Sequence, residues 1–271
     1  MSYSALTQTK LHRRRFRRQS AEPVSNYYWS GIWDGIKDIE FGREPYQWRF
    51  YNILLNGYDL KNKKIIEIGC GTGINSIFMG LKGARITLLD QTREALDIAK
   101  KTLDKFSIDA ELLCGNAFEF DLRGFDLSHS EGVIEHFLKK ERQEIVNIHA
   151  RAVKRGGKVL IIVPNMRSAP YRIGKYIAER IGTWKWGGEY PYSASELKQR
   201  MGKAGLKTGE IIGGEFLFSF GWLLTGLWAS GNSTLKRTIN LPAREKLVKL
   251  NYNNFFANRW GRVIGCVGGK K

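Results

Sequence analysis

From Lys63 onward the chain alternates short β-branched runs with stretches of helical period. Ile65–Ile68, Arg85–Asp90, Glu111–Cys114, Phe125–Ser130 and Lys158–Val163 read as strands, and Leu206–Ile212 and Arg262–Val267 as two late ones. Ile74–Leu81, Arg93–Phe106, Lys139–Val153 and Ser195–Ala204 read as helices. Thr92 and Ser193 stand where N-caps are expected, and Gly156-Gly157 is the expected stop after Val153. Strands alternating with helices of about 10–15 residues predict βαβ units and a mostly parallel sheet.

The flanks are built differently. Tyr27 to Tyr58 is rich in Trp and Tyr, and Trp48, Tyr51, Leu55 and Tyr58 have helical spacing. Nearly fifty residues separate the two late strands, too many for a bare loop. Within them, Phe216 to Leu235 carries no charge and Pro242 to Leu250 reads as a basic amphipathic helix. The apolar part, Phe216 to Ala229, spans 14 residues and is broken by Gly221 and Gly226. A membrane-spanning helix needs about 20 apolar residues, so no transmembrane segment is expected. Three segments result: a basic arm over residues 1–21, a helical cap region over 22–62, and a main domain over 63–271 with an insert or lid at 214–250.

Charge sharpens this division. The chain has 271 residues, 44 Lys plus Arg against 26 Asp plus Glu, and a formal net charge of +18. Residues 1–21 and 236–271 together supply 14 of those charges, whereas residues 64–163 balance 15 basic against 14 acidic groups. Cationic ends can contact an anionic membrane surface or nucleic acid. Three widely spaced cysteines without a CxxC pair give neither a disulfide framework nor a zinc site, which fits a reducing cytoplasm.

Candidate chemistry clusters at the strand ends. In Lys64-Ile-Ile-Glu-Ile-Gly-Cys-Gly-Thr-Gly73 the glycines allow a sharp strand-to-helix turn and close approach of a ligand. The preceding acid, Glu67, suits a cationic ligand group better than a pyrophosphate. Asp90 ends the next strand, where a carboxylate can take both hydroxyls of a ribose. Asn116, after the third strand, offers a donor and an acceptor to an adenine edge. The fourth strand ends in His129-Ser-Glu-Gly132 and runs on to Glu135-His136.

These four pieces, in this order and spacing, resemble the class I S-adenosylmethionine-dependent methyltransferases, clearly over residues 63–163 and more weakly to residue 213. The resemblance implies a Rossmann-like, doubly wound, seven-stranded sheet with helices on both faces and S-adenosyl-L-methionine as cofactor. Carried over by position, Glu67, Gly69, Cys70, Gly71 and Gly73 form the first loop, and Asp90 binds ribose with Gln91 beside the adenine. Asn116 and Ala117 lie at the adenine edge, and Ser130 and Glu131 near the methionine moiety. Asn116 departs from the family's usual Asp.

Alignment and desolvation can drive transfer from an activated sulfonium, so a base is required only for a protonated acceptor. His136 is the candidate base, while His129 reads as structural. No metal is expected. The strand-four end lacks the signatures of enzymes that methylate exocyclic base nitrogens or cytosine C5. Tyr28, Trp33, Phe218 and Trp222 are candidate walls for a small lipophilic or aromatic acceptor. Two other readings stand beside this one: an RNA methyltransferase using the basic ends, and a binding protein that keeps the cofactor fold without catalysis.

Overall fold

The computed structural model describes residues 29–30, 46–138, 140–221 and 250–271. The basic arm, Tyr28, Trp33, Trp222 and residues 222–249 of the expected lid lie outside them.

Seven strands form one sheet: β1 Lys64–Ile68, β2 Arg85–Asp90, β3 Ala110–Cys114, β4 Phe125–Glu131, β5 Val153–Pro164, β6 Leu206–Gly214 and β7 Val263–Lys270. Their order is β3-β2-β1-β4-β5-β7-β6. β7 runs antiparallel to both neighbours, and the pairs among β1 to β5 are parallel. The chain therefore starts in mid-sheet, winds outward to β3, then crosses back to β4. Such a reversal opens a crevice at the carboxyl ends of the strands.

Helix α1 is Tyr46–Leu55, α2 Ile74–Leu81, α3 Arg93–Lys105, α4 Glu141–Ala152, α5 Ala169–Ile181, α6 Ala194–Lys203 and α7 Phe255–Trp260. Side-chain alternation splits β1 between two cores. Ile65 joins a cluster with α1, α2 and α3 through Tyr51, Leu54, Ile77, Met79, Leu96 and Leu103. Ile66 and Ile68 face the opposite cluster, with Ile145, Val146, Leu197 and Met201 of α4 and α6. A parallel sheet buried on both faces needs such continuous apolar strands. Within α3 the buried Ala95, Leu96, Ile98, Ala99, Thr102 and Leu103 form the inward stripe, and Glu94 and Lys105 sit at the ends that favour their charges.

Several local expectations change. Thr92 occupies the N-cap of α3, but its side chain makes no cap hydrogen bond and its hydroxyl donates to Asp90 instead. Ser193 caps α6 as expected, accepting from the Glu196 N–H. The helix before β5 ends at Ala152, ahead of Gly156-Gly157. Those glycines lie inside β5, where the pairing with β4 shifts register. A Cβ on Gly157 would come within 2.8 Å of the Lys154 carbonyl oxygen. The glycines therefore serve a bulge and do not stop the helix. Helix α5 was not expected from apolar period, because Ile173, Tyr176 and Ile181 project into solvent while Tyr171 and Gly174 are buried. Its signals are at its ends: Ser168 before it, Pro170 in its first turn, and a left-handed Gly182 after it. No described helix is long and apolar enough to cross a membrane.

Helix α1 packs into the core. Trp48, Phe50, Tyr51, Leu54 and Leu55 are buried in the cluster against the sheet, and none of them lines the cavity described next.

Candidate active site

At the carboxyl ends of β1, β2 and β4 lies a cavity of about 820 Å³. Its walls include Glu67, Gly69, Cys70, Gly71, Asp90, Gln91, Asn116, Ala117, Glu131 and His136, so the structure gathers ten of the twelve expected cofactor and catalytic positions. Gly73 and Ser130 are not in the wall. Gly73 is the left-handed N-cap of α2, where a Cβ would press on Leu88 and Ala99, so its part is to seat the helix. Ser130 points its hydroxyl into the protein, where it is buried without a hydrogen-bond partner. Alternation along β4 explains this, since it puts Ser130 and Glu131 on opposite sides of the strand.

The first loop is shaped by close packing. Gly69 has φ +68°, and a Cβ there would meet Val133 Cγ2 at 2.7 Å. Gly71 donates its N–H to Asp90 Oδ2 at 2.9 Å. Asp90 Oδ1 accepts from the Thr92 N–H at 3.0 Å and from the Thr92 hydroxyl at 2.9 Å. Asp90 thus clamps the glycine loop to the end of β2. Burial raises its pKa against these hydrogen bonds. Asn116 Oδ1 accepts from the Phe118 N–H at 3.1 Å and caps a short turn of helix at Ala117–Glu119.

Behind the loop runs a buried polar relay. Ser76 donates to Glu67 Oε2 at 2.6 Å and lies 3.4 Å from His129 Nε2. The Tyr51 hydroxyl is 3.3 Å from His129 Nδ1. His129 is structural as expected: burial lowers its pKa to about 3, so it sits there neutral. Burial pushes Glu67 up to about 8 and Glu131 up to about 7. Burial outweighs the pull of Arg262 on Glu131, and two acids that lose hydration in this way are a site for a cationic ligand group. With the glycine cradle, they fit the ammonium and sulfonium of S-adenosylmethionine.

The other end of the cavity was not legible by motif. Trp29, Tyr171, Trp184, Trp186 and Phe137 line it together with Glu135 and Glu189. The Trp29 ring meets His136 edge-on at 4.8 Å. The loop bearing Trp184 to Glu189 is stitched in by two backbone bonds, Tyr190 N–H to the Glu135 carbonyl and Tyr192 N–H to the Pro164 carbonyl. The available signal was the loop's own composition, two tryptophans beside Gly187-Gly188-Glu189. His136 Nδ1 is 2.8 Å from the Gly188 carbonyl oxygen and donates to it, which leaves Nε2 as the acceptor nitrogen. Burial lowers the His136 pKa to about 4. Phe218 is half-buried and does not reach the cavity wall. It follows β6, which forms one edge of the sheet.

The strand order, the glycine cradle and the acid-rich crevice define a class I methyltransferase site. A family model described as a methyltransferase domain matches residues 65–157. A ubiquinone biosynthesis O-methyltransferase of Aromatoleum aromaticum is 29% identical over 182 residues, covering 65% of this chain and 75% of that protein. Another of Thiobacillus denitrificans is 30% identical over 161 residues, covering 57% of this chain and 68% of that protein. A solved S-adenosylmethionine-dependent methyltransferase from Thermotoga maritima superposes with a TM-score of 0.56 at 17% identity, covering 90% of this chain and 100% of that one. The chain belongs to the class I S-adenosylmethionine-dependent methyltransferase family. It is an enzyme that methylates a small molecule, and its cofactor is S-adenosylmethionine. The RNA-modifying and catalytically silent readings are not favoured.

Proposed function

We propose that this chain methylates a hydroxyl oxygen of a small aromatic acceptor, seated between the Trp29–Trp184–Trp186 wall and the methyl-bearing end of the cofactor. One observation carries the reading: a single cavity joins the cofactor residues to an aromatic chamber closed by polar groups at Glu135, His136 and Glu189. The relatives are O-methyltransferases, which supports oxygen as the receiving atom. S-adenosylmethionine, when bound, supplies an activated methyl group.

The chain's own residues do the rest. Glu67 and Glu131 receive the cationic methionine end, Asp90 and Gln91 the ribose side, and Asn116 with Ala117 the adenine. The tryptophans exclude water, which strengthens every electrostatic contact inside. His136 Nε2 accepts a hydrogen bond from the acceptor hydroxyl. An imidazole whose pKa is held near 4 orients a hydroxyl better than it deprotonates one at neutral pH.

Incubation with methyl-labelled S-adenosylmethionine and a panel of phenols, amines and transfer RNA tests this. The label is expected as an aryl methyl ether, with Trp186→Ala raising KM for the phenol and leaving cofactor affinity unchanged. Label recovered only on nitrogen or on RNA refutes the acceptor assignment.

A further inference from the structure

Four polar side chains from four elements meet behind the glycine loop. Tyr51 of α1, Ser76 of α2 and His129 of β4 are 0% exposed, and Glu67 of β1 is 3% exposed. Such a row is costly to bury unless its donors and acceptors satisfy one another. The distances fix how its protons lie. Ser76 has one hydroxyl proton and directs it to Glu67 Oε2, 2.6 Å away. The Ser76 oxygen is then the acceptor for His129 Nε2 at 3.4 Å, so that nitrogen carries the ring proton. Burial keeps the imidazole neutral, so Nδ1 holds a lone pair and accepts from the Tyr51 hydroxyl at 3.3 Å. Every proton in the row points toward Glu67.

One charge state of Glu67 fits this row and the other does not. With the carboxylate ionised, the Tyr51, His129 and Ser76 donors each have an acceptor. A proton on Glu67 Oε2 would reverse the row, so that Ser76 donates to Nε2 and Nδ1 donates to the tyrosine oxygen. The Tyr51 proton would then have no acceptor within hydrogen-bond distance among the described residues, in a ring packed into the apolar cluster. The row therefore opposes burial, which raises the Glu67 pKa to about 8. The other groups facing Glu67 are Asn75 of α2, Glu131 of β4 and the Cys70 thiol. Glu131 repels its charge, burial keeps Cys70 protonated, and the groups that favour the anion are donors from Ser76 and Asn75.

We propose that Tyr51, His129 and Ser76 are positioning residues that set the charge of Glu67, their directional row of hydrogen bonds holding its carboxylate ionised and in place for the cofactor's ammonium group. The inference rests on the assignment of Glu67 to the cationic methionine end, and it states how that charge is maintained in a buried wall. It also gives α1 a task at the cofactor site through Tyr51, which does not itself line the cavity.

The test compares two ligands on the full chain by calorimetry: S-adenosylhomocysteine, which carries the amino-acid end, and 5′-methylthioadenosine, which lacks it. Below the pKa of an acid that must ionise on binding, each pH unit lowers affinity about tenfold. Tyr51→Phe keeps the ring and removes the last donor. It should raise the pH at which Glu67 ionises by about half a unit, which weakens S-adenosylhomocysteine about threefold at about pH 6.5. The difference should narrow as the pH rises past about 8. Ser76→Ala removes the bond made to the carboxylate itself and should weaken the same ligand about tenfold. Methylthioadenosine should bind both variants within about twofold of wild type, because the ribose and adenine residues are untouched. In a Glu67→Gln background, Tyr51→Phe should have no further effect, since the row no longer ends on a charge. Urea unfolding verifies that the variants are folded; if Ser76→Ala is not, Tyr51→Phe alone decides. A general loosening of the site would weaken both ligands alike at every pH, and that result overturns the proposal. So does wild-type affinity for S-adenosylhomocysteine across the pH range in both variants. Failure of the underlying assignment shows separately: Glu67→Gln then binds S-adenosylhomocysteine like wild type, and the proposal falls with it.

Discussion

Replacing Asp90 with alanine separates two tasks that one carboxylate performs. Asp90 is 8% exposed and accepts from the Gly71 N–H, the Thr92 N–H and the Thr92 hydroxyl. The hydroxyl can rotate to another acceptor, but the two backbone N–H groups lie in a buried setting. Leaving each unpaired costs about 1–3 kcal/mol. Removing a carboxylate that burial has already made harder to ionise returns part of that cost. A net destabilisation of about 2–4 kcal/mol follows, read as a lower urea midpoint with unchanged slope. The ribose loses a charged acceptor worth about 1.5–3 kcal/mol, which is roughly tenfold to a hundredfold in S-adenosylmethionine affinity by calorimetry. Asp90→Asn keeps one acceptor oxygen and should fall between wild type and alanine in both measurements. If stability drops while affinity holds, Asp90 only clamps the loop and the ribose assignment is wrong. If neither changes, the carboxylate has no role in the site.

Two further outcomes follow from the same loop. Gly69→Ala should lower cofactor affinity and destabilise by about 1–3 kcal/mol, since the residue combines a left-handed φ with a 2.7 Å approach to Val133; Val133→Ala in the same chain should recover only the steric part, and full recovery would show that φ is immaterial. Binding of S-adenosylmethionine near pH 7.5 should release protons, because Glu67 and Glu131, held up to about 8 and about 7 by burial, ionise when a cation arrives. In the cofactor-free protein the same shift makes stability fall as pH rises from the ordinary carboxylate range through about 8, since the native state then holds more protons than the unfolded one. Calorimetry in buffers of different ionisation enthalpy reads the release; the same heat in all buffers would remove both acids from the cofactor's charged end.

How far the sequence reveals this protein depends on the range of each signal. Lys64 to Gly73, Asp90 and Asn116 sit at strand ends whose own residues announce strand, turn and helix. The three strand assignments there agree with the structure to within one residue at each end. β7 and β6 were also legible as apolar runs, but their antiparallel pairing was not, because pairing direction depends on where intervening chain travels. Helix α5 escaped because its exposed Ile173 and Tyr176 break the inward stripe that burial normally writes. Cap residues alone recorded it.

The acceptor end shows a deeper limit. His136 stood out because histidine is rare here and adjoins a recognised strand end, yet its chemistry is set by Gly188, 52 residues later. Glu135 drew no attention as one acid among many. It matters because Tyr190 bonds its carbonyl and so delivers Glu189 beside it, two acids that burial raises above the ordinary carboxylate range although Arg142 pulls on one and Arg262 on the other. Like-charged pairs are expensive to bury and have no local sequence signature, so a fold that assembles one from distant segments does so against its own stability. The cofactor half of the cavity could be read from motifs because backbone turns write them; the acceptor half is written in contacts between segments. That division matches the chemistry, in which a shared donor is held by a shared loop and each acceptor by a loop particular to its enzyme.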